Sequence, residues 1–144
     1  MDVSDLRKRI LRALDDAQKS TAVRRQAADE AAAAYTAFLS DIAAPLFVQA
    51  AMVLRAAGHE FTANTPAGSV KLISDRSSQE FLELELDTTG ARPQVVGRTS
   101  AARGRRGQIV EERPIAADKS IAELTEGDVS TFLVAELPKL VSKQ

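Results

Sequence analysis

The sequence contains no cysteine, and aromatic residues make up only 4% of its 144 positions. The absence of cysteine excludes disulfides, a thiol nucleophile and thiolate metal ligands. The scarcity of aromatic rings leaves little from which to build a base-stacking surface for nucleic acid. Thiol chemistry is therefore excluded, and base stacking with nucleic acid is disfavoured.

Several familiar catalytic and cofactor motifs are also missing from the sequence. It has no G-x-x-x-x-G-K-[ST], no G-x-G-x-x-G opening a helix, no H-E-x-x-H and no serine in a G-x-S-x-G context. The first two cradle phosphates, and the last two supply a zinc site and an activated nucleophile. The sequence therefore predicts no cofactor and no metal, and it favours a protein that is not an enzyme.

The chain also lacks an excess of charge and a long apolar run. Its 20 acidic and 19 basic residues nearly cancel, so no field of the whole chain attracts nucleic acid or membrane. The longest uncharged apolar-rich run, 42–54, is about 13 residues, whereas a membrane helix needs roughly 20. The first 16 residues mix acids and bases and form no signal-peptide core. We expect a cytoplasmic protein without membrane contact.

The N-terminal part of the chain has a helical pattern. Apolar residues recur at a spacing near 3.6, Asp2 is placed to cap the start, and Gly58 is placed to end the helix. We predict a helical segment over residues 1–57 that serves self-association. Its amphipathic part begins with Leu6, Ile10, Leu14 and Ala17.

The sequence leaves open whether this segment is one helix, two or three, and two positions are suited to a break. Ser20 or Thr21 is suited to cap a second helix, and Ser40 or Asp41 a third, with Pro45 in the first turn of that third helix. An unbroken helix would run to roughly 80 Å, far longer than a domain of this size. The segment is therefore either a helical hairpin or a kinked helix that projects and meets a partner chain.

After Gly58 the apolar period changes to two, which is typical of strands. Thr125 and Asp128 then resemble a capping box that opens a final amphipathic helix. We predict an α+β fold in which this helix and the stretch 42–54 cover the apolar face of an antiparallel meander, with residues 58–144 as the body. The expected strands are about five, over 59–64, 69–74, 79–87, 93–101 and 108–114.

The stretch 79–87 predicts the faces of its strand. Leu82, Leu84 and Leu86 fall on one face, and Phe81, Glu83, Glu85 and Asp87 fall on the other. We expect Leu84 to be buried and Glu83 to be exposed.

The most unusual segment is 98–107, which carries four arginines and no acid. Arginine binds phosphates bidentately, and basic loops grip nucleic-acid backbones. Two other hypotheses stay open: a solvated hairpin turn, or a loop that docks on the acidic 83–87 face. The candidate polyanion-binding residues are Arg98, Arg103, Arg105 and Arg106.

The remaining hypothesis is an active site that uses His59 and the acids of the strand 79–87. His59 is the only histidine and has the pKa range of a general base, while Glu83, Glu85 and Asp87 lie about 7 Å apart along one strand face. The alternative is that these acids form a solvated face and pair with basic residues on neighbouring strands. The basic residues available for such pairing are Lys71, Arg98 and Arg113.

The pattern as a whole favours a non-enzymatic interaction protein that forms homo-oligomers through its N-terminal helical segment. The alternative is a polyanion-binding protein that uses the arginine loop, although nucleic acid is not the favoured partner. A lower alternative is an enzyme that uses His59 and the strand carboxylates.

Overall fold

The computed structural model describes residues 2–90, 92–102 and 107–141. It confirms the predicted α+β arrangement of a long N-terminal helix, a five-stranded antiparallel sheet and a C-terminal helix. The elements are α1 (Val3–Phe38), a π-helical turn (Leu39–Ala43), α2 (Ala44–Ala56), β1 (Phe61–Asn64), β2 (Ser69–Ser74), β3 (Phe81–Asp87), β4 (Gln94–Ala102), β5 (Gln108–Pro114), a 3₁₀ turn (Ile121–Glu123) and α3 (Glu126–Val141).

The contacts of the chain separate into two compact units, which divide between Glu30 and Ala31. The first unit consists of the N-terminal part of α1. The second contains the last two turns of α1, the sheet, α2 and α3.

Of the two positions suited to a break, the first lies inside α1, and at the second a π-helical turn separates α1 from α2, with Pro45 in the first turn of α2. Thr21 lies inside α1, where its hydroxyl donates to the Ala17 carbonyl at 2.9 Å. Ser40 lies inside the π-helical turn and donates to the Ala37 carbonyl at 3.3 Å instead of capping a new helix. A hydroxyl that bonds a carbonyl of the preceding turn is satisfied within a helix, so these residue types do not by themselves end one. No helical hairpin forms at either position.

Both ends of the helical stretch follow the sequence signals. The Asp2 carboxylate accepts a hydrogen bond from the Ser4 amide at 3.3 Å. After α2, Gly58 adopts φ +93°, and the His59 amide donates to the Leu54 carbonyl at 2.8 Å. This is a Schellman motif, whose left-handed residue favours glycine. It turns the chain from α2 into β1.

The sheet has the strand order β1-β2-β3-β4-β5, and every neighbouring pair is antiparallel. Leu84 on β3 faces Val70 on β2 and Gly97 on β4. A β-carbon on Gly97 would come within 2.3 Å of the Phe132 ring. Glycine at this position therefore lets α3 approach the sheet closely.

One face of the sheet and the two helices α2 and α3 form the core, as predicted. Tyr35 and Phe38 from the last turn of α1 are buried in the same cluster, and the Tyr35 hydroxyl donates to the Gly68 carbonyl at 2.7 Å. The end of α1 thus belongs to the sheet unit. The largest fully buried side chains of the core are Phe47, Val70, Leu72, Leu82, Leu84, Val129, Phe132 and Leu140.

The predicted faces of β3 are confirmed for Leu84 and wrong for Glu83. Leu84 is fully buried, but Glu83 is only 8% exposed. Glu83 does point away from the leucine face, as alternation requires, yet it lies opposite Lys71 and Arg98 on the adjacent strands. These long neighbouring side chains cover it, so this face is not simply solvated.

We expect Leu84→Ala to lower the free energy of unfolding by about 2–5 kcal/mol, because it leaves a cavity in the core between the sheet and α3. Urea denaturation would measure the difference. The control is Val48→Ala on α2, where the side chain is half exposed and the cost should stay within about 0.5 kcal/mol. Equal costs for the two variants would contradict the assignment of the core face.

Candidate functional site

The N-terminal part of α1 displays apolar side chains that its own unit does not cover. Residues 2–27 are exposed throughout, and the leucines and isoleucine among them are about half exposed. At 100° per residue, four of these apolar side chains fall on one face of the helix. We call this face the N-terminal stripe: Val3, Leu6, Ile10 and Leu14.

The opposite face of the same helix is charged. Asp15 and Lys19 form an ion pair at 3.0 Å, one helical turn apart. Asp5, Lys8 and Arg12 share that face by the same 100° rotation. The first unit is therefore an amphipathic helix with one polar face and one apolar face. Such a helix gains most of its stability from packing its apolar face, and isolated helices are marginal in water.

Arg98, one of the candidate polyanion-binding residues, lies in the middle of β4. Its guanidinium donates to Glu83 at 2.7 Å, also bonds Glu85, and lies 3.6 Å from Glu112. Burial by itself would lower the pKa of Arg98, but the three carboxylates raise it above its usual value. The charge of Arg98 is thus neutralised within the sheet. This leaves less of it for an external phosphate.

The other candidate arginines, Arg103, Arg105 and Arg106, lie outside the described residues. The polyanion hypothesis for these three stays a prediction.

The acids of the strand face do pair with a basic residue of the neighbouring strand, and that residue is Arg98. Side chains of alternating sign follow one another across the sheet in the order Lys71, Glu83, Arg98 and Glu112. We call these four residues the charged row. Lys71 contributes differently, because its ammonium lies 4.6 Å from the centre of the Phe81 ring. Arg113 points to the helix side of the sheet and pairs with none of these acids.

The partner of Arg113 is a residue that sequence reasoning missed. Glu136 on α3 is only 3% exposed and accepts hydrogen bonds from Thr99 at 2.6 Å, Arg113 at 3.1 Å and Lys139 at 3.2 Å. Burial alone would raise the pKa of Glu136, but these three donors outweigh burial and lower the pKa below its usual value. The signal was present in the sequence: residue 136 lies four residues after Phe132 and four before Leu140, on the apolar face of α3.

His59 lines a cleft of about 600 Å³ at the junction of α2 and β1. Arg55 at the rim is held by Asp75 at 3.1 Å, and Arg76 lies 3.9 Å from Glu80. Among its described lining residues the cleft contains one carboxylate, Glu60. The structure does not bring His59 together with the strand carboxylates, since Glu83, Glu85 and Asp87 do not line this cleft.

The part of the chain that the structure describes contains no group of three or more histidine, aspartate or glutamate side chains arranged to hold a metal ion. The strand acids Glu83 and Glu85 bind Arg98, and Asp87 accepts a hydrogen bond from Thr89.

A second apolar surface lies between α2 and α3 in the sheet unit. It is an open groove of about 460 Å³, and we call it the α2–α3 groove. Val53 and Val134 on its rim are 68% and 74% exposed. The described residues that line it are Leu46, Gln49, Ala50, Val53, Leu54, Ser130, Leu133, Val134, Leu137, Pro138 and Val141.

One helical stretch among the described residues, Val3–Ala56, passes a test for a membrane-crossing helix on length and composition alone. It contains an 18-residue window with a mean hydropathy of 1.7. Within the stretch, Phe47, Ala51 and Leu54 are buried in the core of the sheet unit. Of that window, 28% is buried inside the structure.

No family model, no curated protein and no solved structure matches this chain.

We expect Glu83→Ala to lower the free energy of unfolding by about 1–3 kcal/mol, because it removes a buried carboxylate that is hydrogen-bonded to a charged group. Chemical denaturation at neutral pH measures this cost. Glu85→Ala is the matched control: the side chain of Glu85 is 38% exposed although it bonds the same arginine. Its cost should stay below about 1 kcal/mol. A larger cost for Glu85 than for Glu83 would contradict the burial of Glu83.

The lowered pKa of Glu136 leads to a prediction about how stability depends on pH. A carboxylate whose pKa is lower in the folded than in the unfolded state contributes stability above its unfolded pKa, and that contribution disappears as the pH falls through the folded pKa. In Glu136→Gln this part of the pH dependence should be absent, so the loss of stability below about pH 4.5 becomes less steep, by at most about 1.4 kcal/mol per pH unit.

Urea unfolding at a series of pH values from neutral to acidic would measure both slopes. Glu126→Gln, at an exposed position of the same helix, controls for the loss of one carboxylate. Parallel curves for wild type and Glu136→Gln would show that the Glu136 cluster does not contribute to acid unfolding.

Proposed function

We propose that this protein is a non-enzymatic interaction protein that self-associates through its N-terminal helix. The observation that carries the proposal is the N-terminal stripe, a set of large apolar side chains on one face of an otherwise charged helix. A contiguous exposed apolar surface of this kind marks an interaction site. The identical helix of a second copy presents the same N-terminal stripe.

The energies indicate a reversible association. Full burial of a leucine-sized side chain contributes about 1.5–3 kcal/mol, and a half-exposed one recovers roughly half of that. Leu6, Ile10 and Leu14 in each of two copies then give on the order of 5–9 kcal/mol. Association costs about 4–15 kcal/mol in lost freedom. The two terms are similar, so we expect assembly that depends on protein concentration and that also uses neighbouring residues such as Leu11.

The charge pairs of the sheet support a non-enzymatic role. Glu83 and Glu85 would be the carboxylates of an active site, but both bind Arg98. His59 has its backbone amide in the Schellman motif and lines a cleft without those acids. The carboxylates that the catalytic hypothesis needs are therefore held by Arg98, and they do not line the cleft of His59.

We expect wild-type protein to show a solution mass above 15.5 kDa that rises with concentration. Ile10→Glu places a charge in the centre of the N-terminal stripe, where burial would cost several kcal/mol, and should shift the protein to monomer. Analytical ultracentrifugation over micromolar concentrations measures the change. Because Ile10 lies outside the sheet unit, the β-sheet contribution to circular dichroism should stay unchanged.

The matched control is Val23→Glu, which introduces the same charge on the same helix at a site that is 67% exposed and lies on the side away from the stripe. It should leave the mass unchanged. A deletion test should end at Glu30, because Tyr35 and Phe38 belong to the core of the sheet unit. A single monomer mass for wild type at all concentrations would contradict the proposal.

A further inference from the structure

The charges in the exposed N-terminal part of α1 are arranged in blocks of one sign. The segment 2–6 holds two acids and no base, and 7–12 holds four bases and no acid. The segment 13–18 again holds two acids and no base, and 19–25 holds three bases and no acid. The sign therefore changes from each block to the next, and a partner that matches this helix must carry charge in the opposite order.

The block 7–12 disfavours a parallel, in-register pair of identical helices. Packed helices have axes about 8–10 Å apart, and charges within about 8 Å of one another are little screened at physiological salt. A parallel pair would set the four bases of this block beside the same four bases of the second copy. Like charges at such distances are unfavourable. An antiparallel pair avoids this repulsion.

We propose that the N-terminal stripe packs against the same stripe of a second copy in the antiparallel direction, with the two-fold axis between Arg12 and Ala13. The inference rests on the proposed function and adds the direction and the register of the contact. In a two-fold contact residue i meets residue j and j meets i, so facing residue numbers here add up to about 25. The segment 7–12 then lies beside 13–18, and 2–6 lies beside 19–23. Each block meets a block of the opposite sign.

The same register places two ion pairs at the border of the stripe. Arg9 and Asp16 are seven residues apart, which is close to two helical turns, so both lie on one side of the helix, about 100–120° from Ile10. Arg9 of each copy lies opposite Asp16 of the partner subunit in this register. Both residues are exposed, and neither has an ion-pair partner in the part of the chain that the structure describes. Charges that border the apolar seam between two helices set their orientation.

The apolar side chains fit this register as well. Near the proposed axis, Ile10 lies against Leu14 of the partner subunit, and the reverse contact is made on the other side of the axis. Farther out, Leu6 lies near Ala17 of the partner subunit, since Ala17 falls on the same face as the stripe by the 100° rotation. A large side chain thus meets a small one at each end of the contact, which is how packed layers interdigitate.

The blocks also disfavour a membrane surface as the occupant of the stripe. Helices that lie on anionic lipid are rich in lysine and arginine on their polar face. The segment 2–18 instead holds four acids and four bases, so it has no net charge to attract such a surface.

The absence of cysteine allows a direct test of the direction. Val3 and Thr21 both fall on the face of the stripe, and the antiparallel register brings Val3 of one copy close to Thr21 of the partner subunit. A mixture of the full-length Val3→Cys and Thr21→Cys proteins should therefore form a disulfide-linked dimer under mild oxidation. Either protein alone should give little product, because its two thiols would lie about 25–28 Å apart along the helices. Ala13→Cys, next to the axis, should link to itself and is the positive control.

A charge exchange tests the register. Arg9→Glu and Asp16→Lys each set like charges opposite one another twice, so the concentration of half dissociation should rise about threefold to tenfold, since exposed ion pairs are weak. The double variant restores opposite charges in reversed order and should return this concentration to near the wild-type value. Lys8→Glu makes the same change of charge on the polar face and should alter it by less than about twofold. Analytical ultracentrifugation measures all four proteins.

The outcomes separate this inference from the proposed function. If wild type associates and Val3→Cys alone links as strongly as Ala13→Cys, the pair is parallel, and only the present inference fails. The same holds if wild type associates but the mixture gives no linked dimer, or if the double variant does not recover. A wild type that stays monomeric and sediments with phosphatidylcholine–phosphatidylglycerol vesicles would assign the stripe to lipid and contradict both proposals.

Discussion

The close contact between Phe132 and the bare backbone of Gly97 determines where α3 lies. A side chain at residue 97 would overlap the aromatic ring, so the helix can rest on β4 only because glycine is there. Once α3 is seated, Glu136 reaches Thr99 and Arg113, and the buried acid receives the donors that it needs. The same placement sets α3 beside α2 and leaves the groove between them. Core packing, a buried ion cluster and the α2–α3 groove thus depend on one missing β-carbon.

The side chains on the two faces of the sheet are buried in different ways. One face is aliphatic and is covered by helices, as a meander with a single apolar face requires. The other face carries charged side chains that pair with one another, because residues of opposite sign lie opposite each other on β2, β3, β4 and β5. Arg98 is the centre of this arrangement and is shared by three carboxylates. Basic residues on strands are therefore poor guides to anion binding until their strand neighbours are known.

Local patterns predicted much of the fold. The capping box of Thr125 and Asp128, the glycine after α2 and the buried leucines of β3 are all encoded within a few residues, and all were correct. The errors concern relations that short stretches do not contain. Glu83 is buried by side chains that are 12 and 15 positions away in sequence, and Glu136 by a strand 37 positions away. The predicted helix caps failed because a serine or threonine has a second option, a bond to the preceding turn of the same helix.

The π-helical turn at Leu39–Ala43 has a geometric consequence for the core. In a regular α-helix, Phe38 and Phe47 are nine residues apart and would point in opposite directions, since nine steps of about 100° leave a half-turn. The turn closes with a hydrogen bond from the Ala44 amide to the Leu39 carbonyl, five residues back, and so accommodates one extra residue. The remaining eight steps bring both phenylalanines toward the same side, where both are buried. The π turn thus resets the rotation of the chain, so that Phe38 at the end of α1 and Phe47 in α2 are buried in the same core.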